Sequence, residues 1–306
     1  MTTIVGVDFS GHRDDRNTWV ARGRLESGGA LRLDSVQPAR RADLHDLLAT
    51  VPTPAVVALD FPFGVPAEFA AALSPGRPPR VMPDLWRVVS GMDAGDFLAA
   101  RGRFVAANGE IKRSGDARHF PESYSPLHRA NPNMLPMTYE GIRLLHRWHG
   151  DHPRRWHVPP LGPPAPAVPP AHVVTLLELM PGAFLKAVGL PYKGYKKGRR
   201  ASELREEITG ALAAASGIRL PSLGSIRMGC HASDDFLDAV VAAVGAACWA
   251  QDEDRFHHPG PDELAAARLE GWIYVPRPGS GAGRPRTATD DTGDGERTPG
   301  RSTLAR

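Results

Sequence analysis

A chain of 306 residues is long enough to bury one large core or two ordinary ones, and 42% hydrophobic with 23% charged residues excludes a disordered or fibrous chain. Thirty-seven Lys and Arg against 34 Asp and Glu leave a formal charge of +3, too small an excess to argue by itself for nucleic acid or a membrane surface. Cys230 and Cys248 have no paired spacing, no apolar leader precedes the first strand, and the longest apolar run, 239–250, is too short for a span, so a soluble cytoplasmic protein is expected.

In chain order, residues 3–9 predict a buried strand, and 17–25 and 29–36 alternate apolar and polar as antiparallel strands with one covered face do. Leucines at helical spacing over 42–50 predict a crossover helix to a second apolar strand at 54–61. The expected order is therefore β-β-β-α-β, an α/β fold with a mixed sheet and helices on both faces. From residue 66 to 171 the texture changes to Arg, His and Pro, with one clear amphipathic helix at 139–149 and a proline-dense run at 159–170, which predicts a large helical and Pro-rich insertion. The core resumes with a strand at 172–181, helices at 182–189 and 201–216, a long helix over 231–250 capped by Ser233 or Asp234, and a last strand at 271–276. The expected division is a split core, 1–65 and 172–276, around the 66–171 insertion, with a disordered tail at 277–306.

Three of these strands end in carboxylates, Asp8, Asp60 and Glu178, and the long helix opens with Asp234, Asp235 and Asp238. Ends of parallel strands face one crevice, so distant acids can converge there, and Asp235 and Asp238, three apart, share a helix face. Carboxylates brought together repel one another unless a cation compensates them, and Mg²⁺ or Mn²⁺ is the hard ion that oxygen ligands suit. A pair of such ions would serve phosphodiester hydrolysis. Structural roles are also open: Asp8 and Asp60 as turn caps toward Gly11 and Gly64, Asp234 and Asp235 as helix N-terminal acids, and Glu178 as the residue that fixes the Pro181 turn.

The stretches GVDFSG, LDFPFG, LELMPGAFLKAVGLPYKGYK, HASDDFLDAVVAA and EGWIYVP, in that order, resemble the domain-of-unknown-function 429 family, described as predicted nucleases of ribonuclease-H-like fold and similar to its resolvase branch. The resemblance covers residues 3–66 and 172–276. It implies a divalent-metal-dependent nuclease in which Asp8 is the first-strand acid, Asp60 the fourth-strand acid, Asp235 and Asp238 the helix pair, and Glu178 the glutamate of an E-x-x-P motif. Asp60 departs from the glutamate usual in the resolvase branch. Asp8, Asp60, Asp238 and Glu178 are the expected metal ligands, with Asp235 as a further catalytic acid.

The loop PYKGYKKGRR, 191–200, interleaves aromatic and basic residues, and Lys193, Tyr195, Lys196, Lys197, Arg199 and Arg200 are the candidates for gripping a nucleic-acid backbone and stacking its bases. A solvated basic loop is the alternative. Two other functions stay open: an ATP-dependent phosphotransferase of the actin-like superfamily, suggested by VDFSG alone, and a non-catalytic module that binds nucleic acid or a partner. The Gly-rich segment after residue 277 lacks the Lys-Ser/Thr of a phosphate loop.

Overall fold

The computed structural model describes residues 1–12, 15, 17–121, 123–162 and 172–277. Strands β1 (Thr2–Asp8), β2 (Thr18–Leu25) and β3 (Leu31–Ala39) form an antiparallel meander, and α1 (Arg41–Ala49) crosses over to β4 (Ala55–Asp60), which pairs parallel to β1. β3 starts two residues later than the pattern predicts. Gly29, at φ +75°, turns the chain, and its N–H bonds the Glu26 carbonyl at 2.9 Å.

Residues 66–162 hold five described helices where the periodicity predicts one: α2 (Ala67–Leu73), α3 (Met82–Ser90), α4 (Ala94–Asn108), α5 (Ser114–His119) and α6 (Met134–Asp151). Buried aromatics of α2 and α4 meet one another and the predicted helix α6 across the insertion, Phe69 with Phe97 at 5.7 Å and Phe97 with Tyr139 at 5.4 Å. A two-residue strand, β5 (Trp156–His157), then joins the sheet edge. The proline-rich residues 163–171 and the tail from 278 lie outside the described residues.

The chain continues through β6 (Val174–Glu178), α7 (Pro181–Ala187), α8 (Ala201–Ser216), α9 (Leu223–Ala232), α10 (Asp234–Gln251) and α11 (Leu264–Glu270). The expected long helix is α10, capped as expected by Ser233, whose hydroxyl accepts the Phe236 N–H at 3.2 Å; His231 and Ala232 instead end α9, a helix that the sequence pattern does not predict. Residues 271–276 are not a sheet strand. Tyr274 donates to the carbonyl at the end of β6, Glu178, at 2.9 Å, and Pro276 makes an isolated bridge with Phe256. The six strands run in the order β3-β2-β1-β4-β6-β5.

Alternation along the strands divides the core into two faces. Ile4, Val56, Ala58 and Leu177 face α10 and α8, whereas Val5, Val7, Val57, Leu59 and Leu176 face α1 and the insertion, with Phe69, Trp86 and Trp148. α10 is buried nearly all round and lies across β1, β2 and β4. It comes this close because Gly6 has no side chain: a Cβ there would stand 2.1 Å from the Ala243 nitrogen and 2.3 Å from the Ala239 oxygen. Among the described residues no helix is long and apolar enough to cross a membrane.

Candidate metal centre

Asp8 and Asp60 end two adjacent parallel strands and are register partners, so their side chains leave the sheet on one face. That is the face that α10 crosses, and Asp238, one turn into α10 and fully buried, meets them there. One carboxylate oxygen from each of the three lies within 4.8 Å of the others, the one group of acids among the described residues placed to share an ion. Asp235 lines the same cavity from the first turn of α10 but stands outside this triad.

The charges are held against their preference. Burial, then Asp238 and Asp60, push Asp8 well above the usual carboxylate range, and burial pushes Asp60 up to about 7 although Lys196 opposes it. Burial and Asp234 raise Asp235 to about 6. No described residue donates a hydrogen bond to either Asp8 or Asp60 side chain. Asp238 Oδ1 accepts the Tyr195 hydroxyl at 2.8 Å, and Oδ2 lies 2.6 Å from Lys196 Nζ, an ion pair without an aligned hydrogen bond. A buried carboxylate oxygen without an aligned donor, beside two further acids without donors, is a set of hard oxygen ligands that could hold a metal ion.

The basic loop is therefore divided in its roles. Tyr195, expected to stack bases, is 1% exposed, and its hydroxyl is committed to Asp238. Buried Arg205 pins this turn, donating to the Tyr195 carbonyl and to that of His231, each at 2.8 Å, while Gly194 and Gly198 supply positive φ on either side. Lys196 neutralises Asp238, and Arg200 pairs with Glu203 at 3.0 Å. Lys193, Lys197 and Arg199 are exposed, with the Lys193 ammonium 5.2 Å from the Tyr192 ring.

Glu178, expected among the metal ligands, lines the same cavity but stands outside the triad. Its register partner is Leu59 and not Asp60, so its side chain leaves the opposite face of the sheet. There Arg113 binds it at 2.6 and 2.9 Å, and the Phe63 N–H adds a third bond at 3.1 Å. Arg113, 2% exposed, also grips Asp116 at 2.7 and 2.9 Å and the Glu270 carbonyl at 3.0 Å, so all its N–H groups are used. Sequence reasoning missed Arg113, Asp116 and buried Glu270, whose carboxylate accepts the Ala67 and Ser114 N–H groups. The available signal was the position of Glu178 itself: a glutamate inside an apolar strand requires a cation somewhere.

Above the triad lies a cavity of about 580 Å³. The core contributes Asp8, Asp60 and Asp235, the basic loop Tyr192, Lys193 and Lys196, and the insertion Tyr124, Asn131, Asn133 and Met137. An open, cation-bordered cavity over clustered acids is suited to a ligand that carries negative charge and reaches the acids through a metal ion. No protein-family model matches the chain, and no curated protein and no solved structure matches it.

Proposed function

We propose that this chain is a divalent-metal-dependent nuclease of ribonuclease-H-like fold, of the kind the domain-of-unknown-function 429 family represents. The observation that carries the reading is the meeting of three aspartate oxygens, from β1, β4 and α10, within 4.8 Å beneath a cavity bordered by Lys193 and Lys196. The meander, crossover helix and parallel fourth strand are the order that this fold requires, which supports it further. Asp8, Asp60 and Asp238 would hold Mg²⁺ or Mn²⁺, and the ion when bound would activate a water and stabilise charge on the scissile phosphate. Asp235 is the remaining acid for a second ion of the pair, since Glu178 is spent on Arg113. Tyr195 orients Asp238, and the exposed Lys193 and Lys197 offer charge to the phosphates.

Calorimetric titration of Mg²⁺ and Mn²⁺ into wild type and Asp8→Asn tests the centre, followed by incubation with single-stranded, duplex and branched DNA and RNA. The expected result is divalent binding that Asp8→Asn abolishes and metal-dependent cleavage of at least one nucleic acid. Binding indifferent to Asp8, or transfer of phosphate from ATP in place of hydrolysis, overturns the reading. One observation favours a second reading, a non-catalytic module: Tyr195 donates to one Asp238 oxygen and the Lys196 ammonium lies beside the other, so the protein itself already supplies Asp238 with a counter-charge. That module would bind nucleic acid equally well in chelator.

A further inference from the structure

We infer that the substrate of this site is a single strand of nucleic acid, entered as one or two unstacked nucleotides; the inference rests on the nuclease reading and names its substrate class. It starts from enclosure. An acid site built to serve an intact duplex needs an open groove along the sheet edge, so that the second strand has somewhere to lie. Here the insertion walls one side of the same opening: Tyr124, Pro126, Asn131, Asn133, Met134 and Met137 line the cavity together with the aspartates. A volume of about 580 Å³ is in the range of a site for one small molecule. A duplex reaches acids at the bottom of such a cavity only by taking a nucleotide out of its stack.

The cavity's surface matches an unstacked base better than a paired one. Tyr124 is 61% exposed, with its ring held flat on His128 at 4.3 Å and 18°, and His128 is in turn fixed by Glu110 at 2.7 Å. With one face backed by His128, this exposed ring keeps the other as the π-face that sequence-tolerant single-strand binding uses. Tyr192, half-buried in the same lining, has the Lys193 and Lys186 ammonium groups 5.2 and 5.6 Å from its ring, which places phosphate partners beside a second aromatic. Asn17, Asn131 and Asn133 add amide groups, able to both donate and accept, along the same lining. The Watson–Crick edge of a base offers its donors and acceptors to such groups only when the base is unpaired. Met134 and Met137 give the apolar contact that adapts to different bases.

The test is fluorescence anisotropy on the full chain with short labelled DNA and RNA, single-stranded and as the matching duplexes, in chelator and again in Ca²⁺. The single strand is expected to bind at least about tenfold more tightly than the duplex, and Tyr124→Ala to weaken it about tenfold, one lost base stack, while Tyr124→Phe retains it. The DNA and RNA arms distinguish the two sources of the strand. Equal binding of duplex and single strand, single-strand binding unmoved by Tyr124→Ala, or no binding of either form overturns the inference. A strand that binds with the expected pattern but is not cut in Mg²⁺ upholds this assignment and removes the nuclease reading, so the two fail separately. Because Tyr124 is exposed, a circular-dichroism melt unchanged in Tyr124→Ala shows that lost binding is not lost folding.

Discussion

Asp60 carries a proton in the folded chain over a pH range in which the unfolded chain has released it. Burial raises its value from 3.8 to about 7, so the folded state binds the extra proton between those limits. The contribution of this group to stability therefore falls as pH rises from about 4 to about 7 and is level above, the reverse of a salt-bridged aspartate. Asp60→Asn removes that penalty: in chelator it should raise the unfolding free energy by on the order of 2–4 kcal/mol at pH 8 and change it little at pH 4, read by urea titration. Mg²⁺ should reverse the order of the two proteins at pH 8, because only wild type gains the ion, and the affinity of wild type should fall below pH 7 as protons compete. Glu178→Gln separates the second cluster from the first. It leaves part of buried Arg113 uncompensated, with an expected loss of about 2–4 kcal/mol in the same urea experiment, while Mg²⁺ affinity stays within about threefold. At this scale Asp8, Asp60 and Asp238 were legible because an acid inside an apolar run requires a partner. Glu178 looked equivalent to Asp60 because β6 is buried on both faces, and such a strand has no alternation from which to read parity. Tyr195 looked like a stacking residue from its lysine neighbours, whereas Asp238, 43 positions away in sequence, decides its role.

The decisive element is α10. Its apolar run identified a buried helix, and Ser233 supplied the cap that the sequence proposed, whereas α9, which Ser233 also ends, was not read from the sequence. The closeness of α10 to β1 depends on Gly6, and Gly6→Ala tests it directly. The added methyl would press on helix backbone at Ala239 and Ala243, which cannot rotate away, so an expected loss of about 3 kcal/mol or more should accompany weakened Mg²⁺ binding as Asp238 is displaced. Thermal melts and calorimetry on the same samples check both effects. An unchanged melt with unchanged affinity would mean that α10 does not rest on Gly6. Tyr195→Phe acts through the same helix from the loop side. Losing the 2.8 Å bond leaves Asp238 Oδ1 buried without a donor, for an expected loss of about 1–3 kcal/mol by urea titration in chelator.

At the scale of the molecule, the sheet has two covers, and the insertion is one of them. Val5, Val7, Val57 and Leu59 pack with Phe69, Trp86, Leu145 and Trp148 in one continuous apolar cluster. Excising residues 66–162 should therefore yield a chain that is insoluble or binds a hydrophobic dye, since one face of the sheet would be bare. A soluble, cooperatively melting remnant would show that the core stands without this cover. The split in texture at residue 66 was visible in composition. That the insertion buries the sheet, adds β5 and lines the acid cavity was not, because each of those contacts joins segments far apart in the chain.

Local chemistry was enough to write the α/β order, the crossover helix, the strand-end acids and the start of α10, since each depends on periodicity or capping within a few residues. Register and parity across β4 and β6, the commitment of Glu178 to Arg113, and the turn that puts Tyr195 and Lys196 on Asp238 belong to the folded chain alone. A one-residue offset between paired strands moves a side chain to the other face of a sheet, and when both faces are apolar nothing in the strand's own residues records which offset is taken.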